Sequence, residues 1–273
     1  MRRAAEAVLL HAALVAGAVL TLFPLLWMVS ASLMPAGEAT AVPPRLLPSA
    51  VTLAHYRALF TRLDLARAFL NSAGLAAAVT LIALLVNSMA GYAFAKLRFA
   101  GRERLFRLLL AALVVPAQVA MLPLFLMLKE LRLVNTYAGV MVPGMASVFG
   151  IFLVRQYALS LPESVLDAAR IDGAGEFRIY WSIVMPLARP VLVTLAIFTF
   201  MSSWNDFMWP LIVLTDNARY TLPVAVANLV GEHVQDTELM MASSVLTVLP
   251  VLILFLALQR HYIAGIMMGS VKG

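Results

Sequence analysis

The sequence predicts an all-α integral membrane protein of six transmembrane helices, with both termini on the cytoplasmic side. Three observations carry that expectation. Of 273 residues, 63% are hydrophobic and only 12% charged, and the mean hydropathy is +0.93. A soluble domain carries about 25% charged residues and could not cover so much apolar surface. The apolar residues also come in blocks of about 20, the length a helix needs to cross a hydrocarbon core of roughly 30 Å. Finally, the Lys and Arg residues fall mostly between those blocks, and unequally on the two sides.

The first block covers about 8–29, behind Arg2 and Arg3. A cleaved signal is the rival reading, because Ala39-Thr40-Ala41 imitates a cleavage site. Its apolar core would be about 7–15 residues, shorter than this block, so a retained span is expected. The remaining spans are expected at about 68–95, 105–128, 137–157, 188–214 and 239–259. Each must be helical, because an isolated strand in lipid would leave its backbone groups without partners. Pro116, Pro123 and Pro143 lie within spans and either permit kinks or are simply tolerated. One membrane domain, 1–273, accounts for the whole chain.

With the N-terminus inside, thirteen Lys and Arg fall in inside segments and seven in outside segments. The positive-inside rule then places both termini in the cytoplasm. The segment 96–107 argues most strongly, with Lys96, Arg98, Arg102, Arg104 and Arg107 against Glu103. The outside segment 215–238 agrees, with Arg219 against Asp216, Glu232, Asp236 and Glu238. Such interleaving reads as topology, so no nucleic-acid partner is expected.

The inside loop 158–187 carries the most specific pattern. It reads as a short helix, a turn and a second helix. Ser160 and Glu163 have the spacing of a capping box. Pro162 suits a first turn, and Val165, Ala168, Ala169 and Ile171 can form an apolar stripe. Gly173 supplies a left-handed stop, and the second helix is expected to end before Pro186. A rigid knob of this kind can pass force from a soluble partner into the bundle. A helix lying on the lipid surface fits the same pattern.

This loop resembles the cytoplasmic motif of ABC importer permeases, E-A-A-x-x-x-G followed after nine residues by I-x-L-P. Here Asp167-Ala168-Ala169 and Gly173 stand at that spacing, followed by Ile183-Val184-Met185-Pro186. Asp167 and Met185 depart from the pattern conservatively. More of the chain is similar to the carbohydrate-uptake, maltose-type branch. The residues concerned are Asn71-Ser72, Val115-Pro116, Trp204-Asn205-Asp206, and Gly265 and Gly269 ahead of Ser270-Val271-Lys272-Gly273.

The resemblance implies a permease subunit of the cell inner membrane of a bacterium or archaeon. It would work with a second, homologous permease, two ATPase subunits and an extracytoplasmic solute-binding protein. ATP and Mg would sit on the ATPases, with no cofactor on this chain. Glu163, Asp167, Ala168, Ala169, Asp172 and Gly173 would couple to the ATPase, and Gly269, Val271, Lys272 and Gly273 would form a cytoplasmic tail contact. The outer segments, 215–238 first and then 38–67, would meet the binding protein. The solute would be a sugar. A phosphodiester, polyol or peptide remains the alternative.

No catalytic residue is expected. None of the three lysines sits in a G-x-x-x-x-G-K-[S/T] loop, so no phosphate cradle is present. The sequence has no cysteine, no H-E-x-x-H and no G-x-S-x-G. An ion-driven secondary transporter is a weaker rival, because paired repeats and midplane ionisable groups are missing. An intramembrane enzyme is disfavoured by the absent catalytic constellation. Polar residues inside spans tend to face the bundle or a water-filled path. Asn87, Gln118, Trp204 and Asn205 are therefore the candidate pathway-lining residues. Asp206 can be interfacial, and Ser88, Ser243, Ser244 and Thr247 fit helix–helix glue.

The topology makes one direct prediction. A tag at Lys272 reacts only with reagents that reach the cytoplasm, and labelling of intact cells from outside overturns the orientation.

Overall fold

The computed structural model describes residues 2–43, 45–61, 64–232 and 236–270, with side-chain surroundings for these except 2–5, 230–232 and 258–270. The candidate tail residues Val271, Lys272 and Gly273 lie outside the described residues. Gly269 lies in a terminal helix whose side-chain surroundings are likewise outside them.

Every described element is helical. In chain order these are α1 (Arg2–Ala31), α2 (Ala54–Thr61), α3 (Leu65–Lys96), α4 (Arg102–Ala111), α5 (Ala117–Glu130), α6 (Tyr137–Met141) and α7 (Val148–Leu159). They are followed by α8 (Glu163–Ile171), α9 (Glu176–Ile179), α10 (Met185–Leu187), α11 (Arg189–Trp204), α12 (Met208–Val213), α13 (Leu222–Glu232) and α14 (Thr237–Ser270). Three stretches are long and apolar enough to cross a membrane as continuous helices, Glu6–Ala31, Leu65–Lys96 and Thr237–Ala257.

The other spans expected as single helices are broken. Arg102–Val114 meets Ala117–Glu130 at 104° and Tyr137–Gly144 meets Val148–Leu159 at 41°, while Glu176–Leu187, which lies outside the expected span 188–214, meets Arg189–Trp204 at 79°. Proline accounts for the sharpest break. Val115, ahead of Pro116, is driven to an extended φ of −81° and ψ of 118°, and the chain restarts as α5. Pro143 lies in the turn before the 41° bend, whereas Pro123 is carried inside α5 without a break. The expected helix 188–214 ends at Trp204 and resumes as α12. The second loop helix does not stop before Pro186. It passes into a π-helical stretch, Tyr180–Val184, and reaches Leu187. A π turn realigns the backbone donors and so accommodates a residue that has none to give.

The chain divides into two compact units. One comprises Met1–Ala66 with Ala225–Val251, the other Arg67–Val224 with Leu252–Gly273. In the first unit the Pro-rich segment after α1 folds around buried Ala31, Met34 and Ala39, packed by Trp27 and Met241. Polar bonds fix its path. Glu238, 1% exposed, accepts from Ala39 N at 2.7 Å. His55 Nε2 lies 3.0 Å from Met34 O. Glu38 accepts from Ser49 N at 3.0 Å and Arg45 Nη1 at 3.0 Å. Against the upward push of burial, these bonds hold its carboxyl below the usual carboxylate range. Glu238 therefore adds no charge to an exposed acidic surface in 215–238, and the segment is partly helical as α13. Ser243, Ser244 and Thr247 bond carbonyls of their own helix.

The second unit takes α3 from Arg67 onward; the helix has 32 residues in all, about 48 Å at 1.5 Å per residue. Near its start Asn71 Nδ2 donates to Ala218 O at 3.1 Å and Tyr220 O at 3.0 Å, while Ser72 Oγ accepts from Leu222 N at 2.7 Å. At mid-length Asn87, fully buried, accepts from Ser147 N at 2.9 Å. Ser147 in turn caps α7 through Gly150 N at 2.9 Å. A side chain at Gly150 would meet Asn87 at 2.9 Å, so only glycine admits this approach.

Truncation of the buried acceptor is the test of the first unit. Glu238→Ala leaves the Ala39 N–H without a partner and costs about 1–3 kcal/mol, whereas Glu238→Gln keeps an acceptor and costs less. Thermal melts of the purified protein in detergent should rank them wild type, Gln, Ala, and equal melting of Ala and wild type contradicts the assignment.

Candidate functional site

Two features of the second unit stand out, a bolted knob formed by the loop 160–186 and a cavity. The knob is held by one face of α3. Ser88, Tyr92 and Lys96 follow at i, i+4 and i+8, so they project from the same side of the helix. Lys96 Nζ donates to Leu161 O at 2.7 Å and Glu163 Oε1 at 2.8 Å. Tyr92 Oη donates to Glu176 Oε2 at 2.6 Å. The hydroxyls of Ser88 and Tyr180 are 2.7 Å apart. Arg170 ties the two loop helices together, through Nε to Glu176 Oε1 at 2.8 Å and Nη1 to Asp167 Oδ1 at 2.8 Å. These carboxylates raise the guanidinium's pKa, Glu176 most strongly, so it is always charged. Beneath them Tyr92, Leu161, Leu166, Ile179, Tyr180 and Val184 form a core.

The helix ends differ from the sequence expectation at one side and match it at the other. No capping box forms. Ser160 Oγ bonds back to Tyr157 O at 2.7 Å, Pro162 takes the cap position without a side-chain bond, and Glu163 is engaged by Lys96. At the C-terminal end Gly173 has φ +80°. Ala174 N reaches Ala169 O at 2.9 Å and Gly173 N reaches Arg170 O at 3.0 Å, the pair of bonds of a Schellman ending. A Cβ at Gly173 would meet nothing within 4 Å, so backbone conformation alone sets the requirement for glycine.

The apolar stripe is also redistributed. Leu166 is the buried residue of α8, while Val165, Ala168 and Ile171 are exposed, Ile171 at 86%. Ala169 is half-buried against the core. The outward face of the knob thus presents Asp167, Ala168, Ile171, Asp172 and Gly173. Of the six candidate coupling residues, Glu163 is engaged by α3 and Ala169 turns toward the core. The other four stand outward.

The cavity encloses about 630 Å³ among α3, α5, the turn at 143–147, α11 and α12. The four candidate pathway residues do not meet there. Asn87 is buried at the Ser147 turn, and its amide nitrogen has no partner among the described residues. Gln118 is exposed on α5, beside wall residues Ala117 and Met121 but not in the wall. Trp204 is buried, edge-on to Phe69 at 5.4 Å and stacked on Phe200 at 6.0 Å. Asn205 Nδ2 donates to Met201 O at 2.9 Å.

The neighbouring residues form the wall instead. Leu195, Phe198, Thr199, Ser202, Ser203 and Asp206 line it from α11 and its end. Their spacing of three and four is one helical face, a signal present in the sequence that single-residue inspection passed over. Asp206 Oδ1 accepts from Trp209 N at 3.3 Å and so starts α12. Among the described residues no group of three or more His, Asp or Glu could hold a metal ion.

The model of a protein family described as the binding-protein-dependent transport system inner membrane component matches residues 87–267. A permease protein of an arabinooligosaccharide transport system, AraQ of Halalkalibacterium halodurans, is 40% identical over 259 residues, covering 94% of this chain and 93% of that protein. The lactose transport system permease protein LacG of Rhizobium radiobacter is 33% identical over 277 residues, covering 100% and 98%. A crystal structure of a bacterial ABC transporter that imports the acidic polysaccharide alginate contains a chain of the same fold. Its TM-score is 0.84 at 25% identity, covering 96% of this chain and 98% of that one.

The α3 clamp makes a prediction that needs no transport assay. Lys96→Met leaves the Leu161 carbonyl without its donor, a loss of about 1.5–3 kcal/mol for a bond from a charged group. Hydrogen exchange across 161–180 should then quicken by roughly 10- to 100-fold. Unchanged exchange there shows that Lys96 does not hold the knob.

Proposed function

The chain belongs to the family of binding-protein-dependent transport system inner membrane components, and from this premise we propose that it is the permease subunit of an ATP-driven ABC importer for a sugar or oligosaccharide. The observation that carries the solute class is similarity along nearly the whole chain to permeases of arabinooligosaccharide and lactose systems. The alginate importer supports it from the side of the fold. The subunit forms half of the translocation pathway in the cell inner membrane. A second, homologous permease forms the other half, two ATPases hold ATP and Mg²⁺, and an extracytoplasmic binding protein delivers the solute.

Six crossings follow if each bent pair is one span beside the three continuous helices. An even number puts both termini on one side, and the bias of Lys and Arg puts that side in the cytoplasm. The knob 160–186 then faces the ATPases. Its exposed mixture of Asp167, Ala168, Ile171 and Asp172 suits a protein groove, because carboxylates on that face would sit poorly against lipid. Ser88, Tyr92 and Lys96 anchor the knob to α3, so a displacement imposed by an ATPase is transmitted to a helix that spans the bilayer.

Reconstitution with its partner subunits in proteoliposomes tests this reading. ATP-dependent uptake is measured with labelled arabinotriose, lactose and an alginate oligosaccharide, and uptake of none of them contradicts the sugar assignment. Gly173→Val should insert and assemble yet lose at least tenfold in uptake, because a β-branched residue resists φ +80°. Gly173→Ala should lose less, and wild-type uptake by the Val variant contradicts the coupling role.

A further inference from the structure

We infer that the cavity along α11 is a contact site for a polyhydroxylated solute, so that this subunit itself binds its cargo. The inference rests on the sugar reading and adds to it a location and named groups. Thr199, Ser202, Ser203 and Asp206 share one face of the helix and of its continuation, and all line the same cavity.

Their hydroxyls differ from those of Thr194 and Thr80. Thr194 on the same helix donates to Pro190 O at 3.1 Å, and Thr80 on α3 donates to Ala76 O at 2.7 Å. Both satisfy the carbonyl one turn back, the usual resting place of a hydroxyl in lipid. The hydroxyls of Thr199, Ser202 and Ser203 make no hydrogen bond among the described residues, and none of the three residues is fully buried. Three unpaired hydroxyls on one wall inside a membrane protein call for water or a polar ligand.

Asp206 supplies the strong acceptor. One carboxylate oxygen holds Trp209 N, and among the described residues the other has no hydrogen-bond donor. A carboxylate accepting from vicinal hydroxyls, hydroxyls that both donate and accept, and apolar ring surfaces from Phe198 and Trp209 are the groups a saccharide requires. The volume of about 630 Å³ falls in the range of small-molecule sites. A shaft lined only for passage would not need a charged acceptor fixed by α12.

The chain has no cysteine, so Ser203→Cys introduces its single thiol with little change of shape. In the assembled importer, a small water-soluble methanethiosulfonate should modify that thiol, read on this chain by mass spectrometry. A saturating concentration of whichever of arabinotriose, lactose or alginate oligosaccharide is transported should slow the modification at least fivefold. Absence of modification means that the second permease fills the cavity and overturns the inference, as does modification indifferent to solute.

Asp206→Asn is the independent arm. Asn still caps α12, so melting should not change, while KM for uptake should rise roughly tenfold through loss of a bond to a charged acceptor. Thr194→Val, whose hydroxyl is already bonded within α11, should leave KM in place. An unchanged KM in Asp206→Asn overturns the inference. If the wild-type importer carries none of the three solutes, the sugar reading fails by itself. Modification of Ser203→Cys in that assembly then still decides whether the cavity is open to water and polar ligands, and its absence still overturns the site.

Discussion

A helix broken within a membrane exposes donors and acceptors that only the protein can satisfy, and this constraint organises the second unit. Where the fourth expected span breaks, Asn87 receives the Ser147 N–H and Ser147 receives that of Gly150. Where the fifth breaks, Asn205 returns to Met201 O and Asp206 receives the Trp209 N–H. A π-helical stretch carries the chain past Pro186. These two breaks are thus paired with polar side chains, and the passage past Pro186 with a local change of helix type.

The long unbroken α3 is the common reference for these features. Its start fixes 218–222 through Asn71 and Ser72, its middle fixes the turn at Ser147, and its last turns grip the knob. Leu75 and Val79 on the same helix line the cavity. One rigid element therefore touches the cavity and the loop 160–186 at once. A transporter that receives work at a loop and moves solute through a cavity needs a connection of this kind, since packed helices shift as units rather than deforming continuously.

Much of this was legible in the sequence. Hydropathy marked the apolar blocks, three of which contain continuous helices long and apolar enough to cross a membrane, because the cost of placing polar groups in hydrocarbon leaves a mark of about 20 residues each. Gly173 announced the end of α8, because its neighbours make a left-handed stop there recognisable. The inward side of α8 was not legible. Val165 and Ile171 are comparably apolar to Leu166, and only the core of Tyr92, Ile179 and Tyr180 decides that Leu166 turns in. The same holds for the wall of α11. Trp204 and Asn205 carry the more conspicuous side chains, yet ring packing and a backbone bond absorb them, and the plainer Thr199, Ser202 and Ser203 face the open space.

The sequence by itself determined the solvent of this protein, the apolar blocks, the charge bias and the spacing of the loop motif. These depend on composition and local order along the chain, where each residue contributes independently of distant partners. Tertiary structure alone decided which spans break, which polar groups are consumed in mending the breaks, and which are left to face a cavity. Those outcomes depend on residues such as Asn87 and Ser147, or Tyr92 and Glu176, meeting across some 60 to 84 positions of chain. No local pattern encodes such a meeting, because it exists only once the helices pack.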